Sequence, residues 1–283
     1  MGRYLRCNYA NIKENQEAKA GLAIVLYLLT SFFQFFKFLT MNNKQRYHLY
    51  KPADHRTWYI LYQRQLEAVR KFAFKGFVSG LRALDFNPHA IPDFDHINLQ
   101  LRDITGWQIF AVPGLIDNDI FFMRLQQQQF GATTWIRKPE QIDYLEEPDL
   151  FHDVFGHVPL LTQPFICSFL KGLAAIAHDH PGNEDVVEAL SRLYWYTIEF
   201  GLIRENEHLR IYGAGILSSV GETNYCMSGE ATLVPFDVKA IVQTPYIKDN
   251  YQSQYFVLDS FEQLSASVSD IKKVLKKLSI IIQ

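Results

Sequence analysis

Cysteine is scarce in this chain: three in 283 residues, at Cys7, Cys167 and Cys226, with no CxxC spacing among them. That excludes a disulfide framework and points to a reducing compartment such as the cytoplasm. An excess of either charge is also missing. The 28 Lys+Arg against 30 Asp+Glu leave a formal net charge of −2, whereas a nucleic-acid binder shows a basic stripe. The densest basic group, Lys272, Lys273, Lys276 and Lys277, reads as one solvated helix face. No nucleic-acid partner is expected. There is no internal repeat, low-complexity tract or long linker, and 48% hydrophobic residues is too apolar for intrinsic disorder. Length alone suggests about two domains, but the first forty residues differ from the rest.

Gly21 to Phe36 reads GLAIVLYLLTSFFQFF, interrupted only by Thr30, Ser31 and Gln34 and stopped by Lys37. A spanning helix wants ~20 apolar residues, and ~10–14 is more typical of a core helix or a signal-peptide centre, so this stretch is marginal. No A-x-A-like cleavage site follows it. Three readings compete for residues 1–40: a signal or anchor, a buried helix, or translated sequence upstream of a working start at Met41. Membrane association is expected only if residues 21–36 act as an anchor.

The remainder, 45–283, reads as one domain that is mainly α with minor β, long enough for a sizeable core. A helix is expected from His55 to Phe74, with Trp58, Leu61, Tyr62, Leu66 and Val69 at three- and four-residue spacings. Asn87-Pro88 and Ile91-Pro92 mark turns. Further helices are expected at about 93–104, 117–128, 147–156, 164–178, 184–203, 229–235 and 260–278. Short extended pieces are expected within 106–115, at 133–137, 209–213 and 254–258.

His152 and His157 lie five positions apart in LFHDVFGHVP. On a regular helix that spacing turns the second residue ~140° away from the first, so the imidazoles converge only if the helix is distorted or ends between them. Gly156 and Pro159 suggest the second: a C-terminal turn that redirects His157. Glu199 adds a third group. It is the only charge in LYWYTIEFGLI, and a carboxylate in such surroundings needs an ionic partner or a metal. Two imidazoles and one carboxylate make the facial triad of non-haem Fe(II) oxygenases, with positions left open for O2 and substrate. His178 and His180 precede Pro181-Gly182 and read as a polar helix end. Gly213-x-Gly215 is half of a dinucleotide motif whose third glycine is replaced by Ser218, a weak signal.

Three segments, EPDLFHDVFGHVPLL at 147–161, WYTIEFGL at 195–202 and YGAGILSSVGE at 212–222, together resemble the pterin-dependent aromatic amino acid hydroxylases in their short bacterial form. The resemblance runs from about His55 to Phe261. It implies that His152, His157 and Glu199 hold Fe(II), that a tetrahydropterin is the cofactor and O2 the co-substrate, and that the reaction converts L-phenylalanine to L-tyrosine. It further implies that Arg137 binds the substrate carboxylate and that Trp195 and Phe200 enclose its ring. Ser218 is grouped with them, placed to hydrogen-bond a ligating histidine. Leu115, Phe121 and Asp153 fall to the pterin, with Asp153 standing where many relatives have glutamate. A zinc hydrolase on the same ligands is the rival from another class, but it lacks the glutamate base of an HExxH motif. Tyrosine or tryptophan as substrate stays open, and a monomer or dimer is expected. Under the upstream-sequence reading, a chain lacking residues 1–40 remains soluble and active; loss of either property in purified truncated protein excludes that reading.

Overall fold

Pro52 opens the first long helix, α1 (Pro52–Phe72), at a position where its missing N–H costs nothing. Asp54 Oδ2 accepts from the Lys51 N–H at 2.8 Å to close the first turn. The computed structural model describes residues 44–277 except 144, 146 and 249, so the readings of residues 1–40 lie outside the described residues. α1 buries Trp58, Leu61, Tyr62, Gln65 and Val69 along one stripe. α2 (Lys75–Ala83), which the sequence reading passed over, and α3 (Phe94–Ile104) follow. Asp93 caps α3 by accepting from the Asp95 N–H at 2.8 Å.

β1 (Gln108–Val112), α4 (Asn118–Gln126) and β2 (Gln129–Thr133) form a β-α-β unit whose strands pair in parallel, Gln108 opposite Gln129 and Val112 opposite Thr133. The extended piece expected at 133–137 therefore lies earlier in the chain. Gln128, at φ 59°, turns the backbone straight out of α4 into β2.

The segment expected as a helix at 147–156 is the largest departure. Phe151–His157 winds as a π-helix and passes into a 3-10 turn over Val158–Thr162. One of its faces is aromatic: Phe151 and Phe155 stack at 4.7 Å and press on Trp58, Tyr62 and Phe77 at 5.4, 5.2 and 5.9 Å. Gly156 lies inside this winding and does not end it. Its role is close approach, because a Cβ there would stand 2.8 Å from the Ala214 carbonyl oxygen.

α5 (Pro164–Asp179) buries Ile166, Phe169, Leu170, Leu173 and Ile176. α6 (Glu184–Tyr194) starts on Asn183, whose side chain accepts from the Val186 N–H at 3.1 Å. The helix expected over 184–203 is α-helical only to Tyr194; Trp195–Glu199 form a second π segment. The chain then breaks at Gly201, where a Cβ would collide with the Tyr212 ring and the Thr197 carbonyl. It continues as β3 (Leu202–Glu205) and reverses into β4 (His208–Ile211) through Asn206 and Glu207, at φ 51° and 62°.

α7 (Ala214–Leu217), α8 (Val220–Met227), β5 (Thr232–Pro235), α9 (Val238–Gln243), β6 (Gln254–Leu258) and α10 (Phe261–Lys277) complete the described chain. The second sheet has the order β4-β3-β6-β5. Residues 229–235 are thus a loop and strand where a helix was expected. Gly229 sits at φ 88°, and Thr232-Leu233-Val234 is an extended-favouring run stopped by Pro235. Helix predominates over strand, as the sequence reading had it. Among the described residues no single helix is long and apolar enough to cross a membrane.

Gly156→Ala is expected to destabilise the protein by about 1–3 kcal/mol and to lower the thermal midpoint by ~2–4 °C per kcal/mol. Calorimetry checks this; an unchanged midpoint would show that the backbone yields at no cost.

Candidate metal centre

π winding, with its i→i+5 hydrogen bonds, brings residues five apart onto one face. His152 and His157 consequently share the face opposite Phe151 and Phe155, with their Nε2 atoms 3.2 Å apart and their rings at 75°. The second π segment delivers Glu199: Oε1 lies 3.1 Å from His157 Nε2 and Oε2 3.6 Å from His152 Nε2. One ligand atom from each residue falls within 4.8 Å of the others. With metal–ligand bonds of ~2.1 Å, adjacent donors stand ~3.0 Å apart on an octahedron and ~3.4 Å apart on a tetrahedron. The 3.2 Å between the two Nε2 atoms lies in that range, and the carboxylate faces them through both of its oxygens, at 3.1 and 3.6 Å.

The protonation states of Glu199 and His152 suit such an ion, and a cation would take the place of the proton that Glu199 favours on His157. Burial alone would raise the Glu199 pKa, but the two imidazoles and the Tyr194 hydroxyl hold its carboxyl below the usual range. Burial pushes His152 down against the pull of Glu199, whereas for His157 the nearer carboxylate outweighs burial and raises it. An ionised carboxylate beside a neutral imidazole is what a divalent cation requires. Ser218 selects the tautomer. Its Oγ donates to the Ala214 carbonyl at 2.8 Å and lies 3.0 Å from His152 Nδ1. With the hydroxyl proton committed, Oγ accepts from Nδ1–H, and Nε2 keeps its lone pair for a metal. Of the two roles expected for Ser218, the contact with His152 bears on support of the histidine.

Arg137 meets Asp149 as a fork, Nε to Oδ2 and Nη2 to Oδ1 both at 2.9 Å. Burial opposes ionisation of Asp149, yet Arg137 holds its carboxyl below the usual range. Asp149 Oδ1 also accepts from the His152 N–H at 3.1 Å, tying the arginine to the start of the first π segment. The guanidinium edge at Nη1 is not used by Asp149. Trp195 packs against Phe200 with ring centroids 4.8 Å apart. A Cβ at Gly215 would meet Phe200 Cζ at 3.0 Å and Glu199 Oε2 at 3.3 Å, so the Phe200 ring and the carboxylate flank the same glycine.

The residues assigned to the pterin are less closely gathered. Phe121 packs edge-on against Tyr194 at 5.3 Å, and Tyr194 lies parallel to the His157 ring at 6.4 Å. Asp153 is buried, which raises its pKa, and Oδ2 accepts from the Thr133 N–H at 2.7 Å. Leu115 is 80% exposed, on the loop between β1 and α4, and is not drawn into contact with the triad. Sequence reasoning missed Asp149 and Tyr194. Asp149 stands inside one motif and Tyr194 just before another; their nearby partners, His152 and Glu199, meet them only through the winding of the two π segments.

The model of the biopterin-dependent aromatic amino acid hydroxylase family matches residues 37–282. The phenylalanine-4-hydroxylase of Chromobacterium violaceum is 47% identical over 218 residues, 76% of this chain and 72% of that protein. The enzyme of the same name from Caulobacter vibrioides is 40% identical over 237 residues, 83% and 80% of the two chains. The iron- and phenylalanine-bound crystal structure of the C. violaceum protein superposes with a TM-score of 0.78 at 41% identity, covering 84% of this chain and 88% of that one. A structure of the same protein with iron(III) and oxidised 7,8-dihydrobiopterin gives 0.79 at 43% identity over 84% and 88%.

Ser218→Ala is expected to weaken metal binding by about 10–100-fold while leaving the fold intact. Competition with a chelator measures this, and an unchanged metal affinity would remove the role given to the hydroxyl.

Proposed function

The chain belongs to the biopterin-dependent aromatic amino acid hydroxylase family, and from that premise we propose that it hydroxylates L-phenylalanine to L-tyrosine with O2, Fe(II) and a tetrahydropterin. One observation carries the reading: His152, His157 and Glu199 converge on one point from two π segments. The donor set fits iron. Two nitrogens and a carboxylate on one side of an ion leave the other side for exchangeable ligands, the pattern of non-haem Fe(II) oxygenases. Iron and pterin together supply the activation of O2 and the two electrons that ring hydroxylation needs.

The chain's own task is placement. His152 and His157 bind through Nε2 as neutral ligands, and Glu199 contributes the negative charge. Arg137, preset by Asp149, offers the remaining edge of a planar donor to the substrate carboxylate. Trp195 and Phe200 enclose the substrate ring beside Glu199 and keep water from it. Phe121 offers its ring to the pterin, and the same reading gives Asp153 and Leu115 to that cofactor. The relatives support the choice of substrate, since the iron-bound C. violaceum structure holds phenylalanine. The same reading takes the working unit to be residues 45–283 and places the protein in the cytoplasm as a monomer or dimer without a nucleic-acid partner.

Iron-loaded protein supplied with tetrahydropterin and O2 is expected to form tyrosine from phenylalanine in preference to acting on tyrosine or tryptophan. Zinc-loaded protein, or Ala at His152, His157 or Glu199, is expected to form none; tyrosine formed by any of these would overturn the Fe(II) assignment. Arg137→Lys keeps the charge beside buried Asp149 but loses the fork. It is expected to raise the phenylalanine KM by roughly 10–100-fold with a smaller change in kcat, and an unchanged KM would take the carboxylate away from Arg137.

A further inference from the structure

Trp195 is held by an interaction that none of the sequence motifs contains. Its indole N–H donates to Gln252 Oε1 at 3.0 Å. Gln252 precedes β6 and is 1% exposed, and its amide is used at both ends: Nε2 donates to the Ile247 carbonyl at 2.6 Å, and Oε1 faces the Ile247 N–H at 3.5 Å. The Gln252 backbone N–H donates to Glu222 Oε1 at 3.3 Å. Glu222, on α8, is buried as well and accepts from the Tyr255 hydroxyl. A buried amide and a buried carboxyl are costly unless satisfied; here Trp195 and Ile247 satisfy the amide, and the Gln252 backbone N–H and Tyr255 satisfy the carboxyl. The node joins three separate pieces of chain: α8, the approach to β6 and the second π segment.

The indole itself stacks on Tyr246 at 4.6 Å and 23°, and meets Phe200 at 4.8 Å and 34°. Ring packing of this kind tolerates sliding and flipping of the indole. A hydrogen bond from Nε1 does not, since turning the indole would take that donor from the buried Gln252 Oε1. The bond therefore selects one orientation of the Trp195 ring, and with it the position of the aromatic wall that ends at Phe200 beside Glu199.

We propose that Gln252 is a positioning residue of the substrate site, holding the Trp195 indole in a single orientation against Phe200 and so setting the affinity for the aromatic ring. The proposal rests on the reading of Trp195 and Phe200 as the enclosure of that ring.

The test uses the full chain loaded with iron for kinetics, and with a diamagnetic divalent metal for nitrogen–proton spectra of its four tryptophans. Trp195→Phe identifies the Trp195 indole resonance by its loss. Gln252→Met, close in volume but without the acceptor, is expected to shift that resonance alone and to speed its hydrogen exchange. It is also expected to raise the phenylalanine KM on the order of tenfold, with kcat and metal content changed much less. Added to Trp195→Phe, it is expected to raise KM no further, the non-additivity of two residues acting as one. An unmoved indole resonance, or KM effects that add, overturns the proposal. Should Gln252→Met not fold, Trp195→Phe decides alone: its KM is expected to rise by a comparable factor, and an unchanged KM overturns the role of the pair. If the unaltered protein forms no tyrosine, the hydroxylase reading fails by itself; the indole resonance and calorimetric phenylalanine binding to the metal-loaded protein then still decide for or against Gln252.

Discussion

Two imidazole nitrogens that face each other at 3.2 Å cannot both present lone pairs without positive charge between them. This demand organises the centre. The carboxylate of Glu199 stands on the same point, the proton of His152 is drawn to the far side of its ring by Ser218, and the first turn of the π segment is fixed by Asp149. Holding them in place requires two departures from regular helix, at Phe151–His157 and Trp195–Glu199, and π winding is rare because its backbone bonding is poorer than that of the α-helix. The offset comes from the opposite face of the first segment, where Phe151 and Phe155 lock into the aromatic core.

The buried polar groups form a scaffold of their own. Asp149 joins Arg137 to His152, Ser218 joins α7 to His152, and Gln252 joins Glu222 to Trp195. The links through Ser218 and Gln252 span residues far apart in sequence, and each of the three sets the direction of a ring or a guanidinium. Directional bonds do this better than packing, because apolar contact is indifferent to small rotations whereas a buried unpaired donor is not. Glycines serve the same end by letting backbones approach: Gly156 lies against Ala214, and Gly215 against Phe200 and Glu199.

The triad was legible in the sequence because it broke local rules. A lone charge in an apolar helix and a five-residue histidine spacing are anomalies that need no tertiary knowledge, and His152, His157 and Glu199 are the residues the fold brings together. The cause of the convergence was not legible. Nothing in FHDVFGH separates π from α winding, and Gly156 looked like a helix stop because its real neighbour, Ala214, comes from another part of the chain. Periodicity found the long helices, such as α1 and α5, whose buried stripes decide their own conformation. It failed at 229–235, where a short apolar run reads as helix or strand alike and pairing with β6 settles the matter. Gln252 escaped notice because a residue's partner across the fold, here Trp195, leaves no trace in its own neighbourhood.

The two-faced first π segment has a further implication. The residues that offer nitrogens to the metal are continuous with those that fill the aromatic core, and Glu199 reaches the same ion from a separate stretch of chain. An ion bound there closes a loop in the folded protein and has no counterpart in the unfolded one. Such a ligand at a hundredfold excess over its Kd adds about 2.7 kcal/mol to stability, and a shift of that size changes how much of a protein escapes proteolysis in a cell. Filling the site and keeping the chain folded are thus one linked equilibrium, in which each favours the other.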